Sequence, residues 1–343
     1  MGRERSAPTL DDVAREAGVS TATVSRCLNT PERVVEKTRE RVQQTIERLG
    51  YTPNFAARVM AANRTFTIGA IIPTMENAIF ARGLQAFQDE LREWGYTLLV
   101  SSSAYKPDLE KEQIQSLVAR GADGLLLIGH ERDDSVYEYI ERQKIPALVA
   151  WSYAPEARLP SVGFDNRAAI AALAQKVIDA GHKTIAVISG RTLGNDRAAQ
   201  RIEGVRDALR ANGMQDDQLP VVETEYAVDK GALAFRELRK TAKNATAVMC
   251  GNDVLAAGAL REAQSMGLSV PNDISITGFD DIELAEIVSP ALTTVHVPHR
   301  EMGRKAAAEL VAMVTGKSAG KSECISTKII ERDSLGPFTP EKP

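Results

Sequence analysis

TLDDVAREAGVSTATVSRCLN, residues 9–29, decides how this chain is read. Apolar side chains at Leu10, Val13, Ala14 and Ala17 recur at the spacing of one helical face. Thr9 with Asp12 three residues on has the form of a capping box, which starts that helix. Gly18 supplies the permissive backbone for a turn. Ser20 then caps a second helix that buries Val24 and Leu28. The other side of that helix carries Thr21, Ala22, Ser25, Arg26 and Asn29. Small and hydrogen-bonding side chains around one guanidinium suit a helix laid into the DNA major groove. A helical hairpin with a solvated face has the same pattern, so the pair alone leaves both readings open.

Downstream, Pro31 breaks the chain, and a third helix is predicted from about residue 35 to 49 with Val35, Val42, Ile46 and Leu49 facing inward. Gly50 stops it, and Tyr51 and Pro53 begin a linker. Thr9, Ser20, Ser25, Asn29, Thr38, Tyr51 and Asn54 all offer donors to phosphate oxygens, contacts that fix register without reading sequence. Residues 54–62 are alanine-rich but too few to hold a helix alone.

A chain of 343 residues exceeds one typical core and fits two or three domains. Apolar runs such as GLLLIG at 124–129 fall far short of a membrane span, and the opening MGRERSAPT lacks an apolar signal-peptide core. Cys27, Cys250 and Cys324 are odd in number and far apart, which suggests neither a zinc site nor a disulfide framework. A cytoplasmic location is therefore expected. The net charge of −4 is unevenly spread. Residues 1–65 hold 11 Lys and Arg against 8 Asp and Glu, a net of +3, so the remainder carries −7. A basic head on an acidic body directs DNA towards one end.

From Thr65 onward strands and helices alternate. TIGAII, TLLVSS, GLLLIG and PALVAW form one strand series, and TIAVIS, VVETEY, TAVMCG and ISITGF a second. Amphipathic segments such as GLQAFQDELREW lie between them, so parallel sheets with helices on both faces are predicted. Two series fit two similar lobes, with LTTVHVP, a helix near residues 301–315 and ISTKIIER crossing back between them. Ligands of such folds bind outside the carboxyl ends of the strands. There the first lobe places Phe80, Tyr105, His130 and Trp151, and the second Asn195, Arg197, Arg201, Tyr226, Asn252, Asp253 and Asp280. Aromatic faces beside amide, carboxylate and guanidinium groups suit a polyhydroxylated ligand.

The opening segment, VVEKTRERVQQTIERLGYTPNFAARVMAANRT at 34–65 and ISITGFDDIELAEIVSPALTTV at 274–295 together closely resemble the LacI/GalR family of bacterial regulators, over nearly the whole chain. The resemblance implies an all-α helix-turn-helix head and an α/β body of two periplasmic-binding-protein-like lobes. The domains expected are 1–53 for DNA, 54–65 as hinge, 66–335 for effector and dimerisation, and 336–343 as tail. Within the body, the first lobe takes about 66–164 and 296–325, and the second about 165–295 and 326–335. The resemblance also implies base contacts from Thr21, Ala22 and Arg26, and minor-groove contacts from Ala57 and from Met60, which stands where relatives wedge a leucine into the central base step. Arg26 is the strongest base reader expected, on the order of 1–3 kcal/mol.

In such regulators the arginine of an RxxG pattern, the Asn of an ND pair and the Asp after a GF pair hold the effector, here Arg201, Asn252 and Asp280. Phe80, Tyr105, Trp151, Asn195, Arg197 and Tyr226 complete the expected cleft. Phe80 and Phe279 also fit a core, and Asp253 also fits a helix cap. A sugar or a sugar acid both suit the set, and a purine less well. The expected partners are near-palindromic operator DNA and a second copy of the chain, with no cofactor and no metal. A terminal coiled coil is not expected, since LGPFTPEKP has no leucine heptad. A solute-binding protein shares the body and is the alternative. An enzyme is disfavoured: the chain has no G-x-G-x-x-G, P-loop, HExxH or nucleophile elbow, and His296 and His299 are expected on opposite faces of one strand.

Overall fold

In the computed structural model, residues 7–52, 64–76 and 78–338 are described. The chain forms two compact units, residues 1–65 and 66–343.

In the first unit Thr9 closes a full capping box: its Oγ1 accepts from the Asp12 amide at 3.2 Å while its own amide donates to Asp12 Oδ2 at 3.0 Å. Helix α1 (Leu10–Ala17) follows and ends at Gly18, whose φ of 64° is open to glycine at little cost. Ser20 Oγ accepts from the Thr23 amide and starts α2 (Thr21–Asn29). A 3₁₀ turn at Pro31–Arg33 leads to α3 (Glu36–Leu49). Val13, Ala14, Ala17, Val24, Val42 and Tyr51 make a small core.

Val35 does not join that core; it is 76% exposed. It is the N-cap of α3, with extended backbone, so the helical period that would carry it inward begins one residue later. The inward stripe is Val42, Thr45, Ile46 and Leu49. The Tyr51 ring closes the head core from its carboxyl end.

The second unit holds two parallel sheets. The larger has the order β11–β5–β4–β3–β1–β2, built from Glu323–Cys324, Ser161–Gly163, Ala147–Ala150, Gly124–Ile128, Thr67–Ile72 and Thr97–Ser102. The smaller runs β7–β6–β8–β9, from Val221–Thr224, Ile185–Gly190, Ala247–Cys250 and Ser275–Thr277. Strands β3, β4, β6 and β8 are buried along their full length, as parallel strands covered on both faces must be. Strand order reverses between β1 and β3 in one lobe and between β6 and β8 in the other, so each sheet has a switch point at its carboxyl edge.

Strands β5 and β11 were not foreseen: three and two residues are too few to show a period. The chain passes from one sheet to the other after β5 and returns through β10 (Thr294–His296), which pairs antiparallel with β12 (Lys328–Ile330). Helix α4 (Ala78–Glu93) packs on the last helix, α12 (His299–Val314), through Gly83 and Gly303. A Cβ on Gly303 would stand 2.1 Å from the Gly83 carbonyl oxygen, so the two backbones touch. Two more helices matter below, α7 (Asn166–Asp179) and α8 (Asp196–Ala211). Among the described residues no helix is long and apolar enough to cross a membrane.

Candidate functional site

Helix α2 presents Thr21, Ala22 and Arg26 exposed on one side while Val24 is fully buried on the other. Ser20 and Thr9 spend a side-chain oxygen on the helix starts, and Ser25 and Thr38 are half-buried. The head thus exposes a polar helix face led by one arginine, the shape a major groove admits. Asn54, Ala57 and Met60 lie outside the described residues.

In the second unit, Phe80, Tyr105, Trp151, Asn195, Arg197, Arg201, Tyr226 and Asn252 line one small cavity between the carboxyl edges of the two sheets. Asn195, Arg197 and Arg201 share the N-terminal end of α8, and the other five come from separate places between residues 80 and 252, each just after a strand or at a helix start. Trp151 leaves β4 with φ 63° and lies against Gly83, where a Cβ would stand 2.4 Å from its ring. Phe80 meets the Trp151 ring edge-on at 5.4 Å. Tyr226 needs Gly190 in the same way, since a Cβ there would come within 2.1 Å of the phenol. Tyr105 faces Tyr226 at 5.9 Å between ring centroids. Phe80 is therefore both core and wall, only 2% exposed yet lining the cavity.

Arg201 is held from three directions. Its Nε donates to Asn166 Oδ1 at 2.9 Å, its Nη1 to the Gly251 carbonyl at 2.5 Å, and its guanidinium stacks 4.0 Å over Phe279. Asn166 in turn donates to the Trp151 carbonyl at 3.0 Å, which ties the arginine to the opposite lobe. Sequence reasoning missed Asn166; its one signal was its place after a short buried run. Asn252 accepts from the Leu255 amide and caps the following helix, leaving Nδ2 buried without a partner.

Asp280 sits beside the cavity with both carboxylate oxygens buried and unpartnered. Burial pushes its carboxyl up to about 6, with Arg201 and Arg197 opposing that rise. Burial also drives the Tyr105 phenol upward. Asp253 is not a helix cap. It accepts from the Ile282 amide at 2.8 Å and from Thr294 Oγ1 at 2.6 Å, and so pins the loop carrying Asp280 to β10. Burial, and then Asp280, raise its carboxyl to about 8.

His299 opens α12 instead of lying in a strand. Its ring is 3% exposed, stacked 6.3 Å from Trp151, 4.0 Å from Asp280, and neither nitrogen has a partner. Burial, with Arg82 next, drives it down to about 3, so it is a neutral imidazole facing the carboxylate. His296 turns to Asp281 instead, at 2.8 Å. Among the described residues no group of His, Cys, Asp and Glu is arranged to hold a metal ion.

The lobes meet at Asp196, the first residue of α8. Its Oδ2 accepts from the His130 amide at 2.7 Å and from Ser152 Oγ at 3.3 Å, both on the first lobe, and its Oδ1 pairs with Arg197 at 2.9 Å. Gly129 makes the approach possible: a Cβ there would lie 1.9 Å from Arg197 Nη1 and 2.2 Å from Asp196 Oδ1. His130 faces this junction with both ring nitrogens unpartnered, and burial lowers it. Outside the junction, Arg82 pairs with Glu283 at 2.8 Å and the Gly194 amide donates to Glu131 at 3.1 Å.

A helix-turn-helix unit and a two-lobed enclosed cleft on one chain define a DNA-binding regulator with a ligand chamber. The description "Bacterial regulatory proteins, lacI family" matches residues 9–54, and a periplasmic binding protein-like domain matches residues 174–335. The chain is 34% identical over 335 residues to the HTH-type transcriptional repressor CytR of Escherichia coli strain K12, covering 97% of each. Among solved structures it is similar to the lac repressor dimer bound to operator and the anti-inducer ONPF, with TM-score 0.86 and 26% identity over 96% of this chain and 100% of that one. It is also similar to the transcriptional regulator CelR in complex with cellobiose, with TM-score 0.72 and 30% identity over 95% and 99%. The chain belongs to the lacI family of bacterial regulatory proteins, and its relatives are transcriptional regulators, not enzymes.

Proposed function

We propose that this chain is a cytoplasmic repressor that binds a near-palindromic operator as a homodimer and releases it when a sugar or sugar acid fills the interlobe cleft. The observation that carries the ligand is a set of buried polar atoms with no partner: Nδ2 of Asn252 and Nε1 of Trp151 in the cavity lining, and beside them the ring of His299 against Trp151 and both oxygens of Asp280. Each costs about 1–3 kcal/mol while unsatisfied, so the site favours a ligand offering several donors and acceptors at once. Adjacent hydroxyls do this, and the Phe80, Trp151 and Tyr226 rings supply apolar walls for their CH faces. The cellobiose complex of CelR supports the same ligand class.

On the DNA side, Arg26 reads a guanine, and Thr21 and Ala22 allow close approach. Thr9, Ser20, Ser25, Asn29, Thr38, Tyr51 and Asn54 hold the backbone, and Ala57 and Met60 act in the minor groove. The dimer forms along α4 and the neighbouring edge strand β2, where Trp94, Leu99 and Val100 stand 49%, 37% and 37% exposed. An uncovered apolar sheet edge is what a second copy would bury. Effector shifts the lobes towards an arrangement in which the paired hinges lose their hold on DNA, a coupling of about 1–3 kcal/mol.

The test separates the two ends of the molecule. With operator half-sites selected from random DNA, Arg201→Ala and Asp280→Ala keep operator binding and lose release by sugar, whereas Arg26→Ala loses operator preference and keeps sugar binding. A folded Asp280→Ala protein that cannot bind operator contradicts the division of roles.

A further inference from the structure

One buried side chain joins Arg201 to the passage between the lobes. The first crossover runs from β5 to α7 through Phe164 and Asp165 to Asn166, the first residue of that helix. Asn166 is 3% exposed, and both ends of its amide are used. Oδ1 accepts from Arg201 Nε at 2.9 Å, on the second lobe. Nδ2 donates to the Trp151 carbonyl at 3.0 Å, on the first lobe, and to the Phe164 carbonyl at 3.4 Å. The same stretch is stitched once more, since the Tyr153 amide donates to the Phe164 carbonyl at 3.1 Å. A helix start needs none of this: Asp165 already caps α7 by accepting from the Ala168 amide at 2.9 Å. A donor at one end and an acceptor at the other is what bridging a carbonyl to a guanidinium requires. Arg201 has Nε and Nη1 fixed, on Asn166 and on the Gly251 carbonyl, and its Nη2 makes no hydrogen bond among the described residues.

We propose that Asn166 is a positioning residue that couples effector contact at Arg201 to the crossover between the lobes. This rests on the reading of Arg201 as an effector residue. The Oδ1 bond is charge-assisted, and polarising the amide at Oδ1 strengthens Nδ2 as a donor, so the two bonds reinforce each other. A ligand that draws the guanidinium into the cavity turns the rigid amide, and the turn reaches the Trp151 peptide. Trp151 leaves β4 at φ 63° and walls the same cavity, so the bridge starts and ends at the ligand.

Amide exchange of the full-length protein, read at Tyr153, tests the bridge without a ligand. Asn166→Asp keeps the acceptor for Arg201 and removes the donor to Trp151. Exchange at Tyr153 should rise about 10-fold, the scale of one buried hydrogen bond, while β4 and β6 keep their protection. Arg201→Ala should raise it about threefold or more in the wild-type background and add nothing in Asn166→Ala. An effect of Arg201→Ala that persists in Asn166→Ala would put the coupling on Phe279, which stacks on both Arg201 and Phe164, and overturns the proposal. So does unchanged exchange in both Asn166→Asp and Asn166→Ala. Should Asn166→Asp unfold, the Asn166→Ala cycle decides alone. A second arm uses glucose, ribose and gluconate as probes on the selected operator. Asn166→Asp should bind whichever of them releases wild type within about threefold, yet lose most of the release. Equal loss of binding and release makes Asn166 a mere prop for Arg201 and also overturns the proposal. If none of the three binds wild type, the carbohydrate reading fails, while the exchange cycle still decides the bridge.

Discussion

Arg26 and Asp280 act through opposite physics. Arg26 is exposed, and its worth arises only against a base edge. Arg26→Ala should weaken the selected operator by about 10- to 100-fold while barely changing binding to scrambled DNA, as fluorescence anisotropy on the two duplexes would record. Asp280 is buried and pays for its charge inside the protein. Its carboxyl stands at about 6 against an ordinary 3.8, so the folded chain holds the proton more tightly than the unfolded one. Stability therefore falls as pH rises from about 4 to 6, and the full cost persists above that range. Asp280→Asn without ligand should be more stable at pH 8 by on the order of 2 kcal/mol, with the gap closing near pH 4. Equal melting curves at pH 8 would mean the carboxylate is already compensated. Asp280 and most of the cavity residues were legible in sequence because they end a strand or open a helix, positions the fold carries to one edge, while Arg201, one turn further into α8, was legible through its RIEG pattern. His299 was not, because the strand-like LTTVHVP hides that β10 ends at His296 and a helix begins at His299.

At the level of elements, the contacts that close the cleft lie between segments far apart in the chain. Asp196 meets His130 and Ser152 across 66 and 44 residues, and no local pattern marks such a pairing. Gly129 is its one visible trace, a glycine at a strand end that also fits an ordinary turn. Gly129→Ala puts a methyl where two side chains already stand and strains a φ of 72°. Asp196→Ala removes the acceptor outright. Both should loosen the closed lobes, seen as faster amide exchange at the end of β3 and the start of α8, while the cores of both sheets keep their protection. Exchange unchanged in Asp196→Ala would show that the junction does not hold the lobes. Val35 carries the same lesson at smaller size: a seven-residue step back from Val42 is a helical repeat only if the helix reaches that far, and α3 starts at Glu36. Val35→Lys should accordingly leave the melting temperature within about 1 °C, as surface changes do.

Across the whole molecule, charge and association set the behaviour. The +3 head is modest, so tight DNA binding depends on doubling it in a dimer. Leu99→Lys with Val100→Glu should shift sedimentation from dimer to monomer and cost at least about 100-fold in operator affinity, with a shallower salt slope. A dimer that persists through both changes would move the interface elsewhere. The alternation of strands made the two lobes legible from sequence, whereas β5 and β11 are pairings that exist only once the sheet has formed. Finally, the chain has two tryptophans: Trp94 is half exposed, and Trp151 forms a wall of the chamber at 2% exposure. Trp94→Phe therefore leaves a single indole emitter inside the cleft. Its emission should respond to occupancy directly, so that stopped-flow mixing reads how quickly the chamber admits and releases its guest. A rate that levels off at high ligand concentration would time the opening of the lobes themselves.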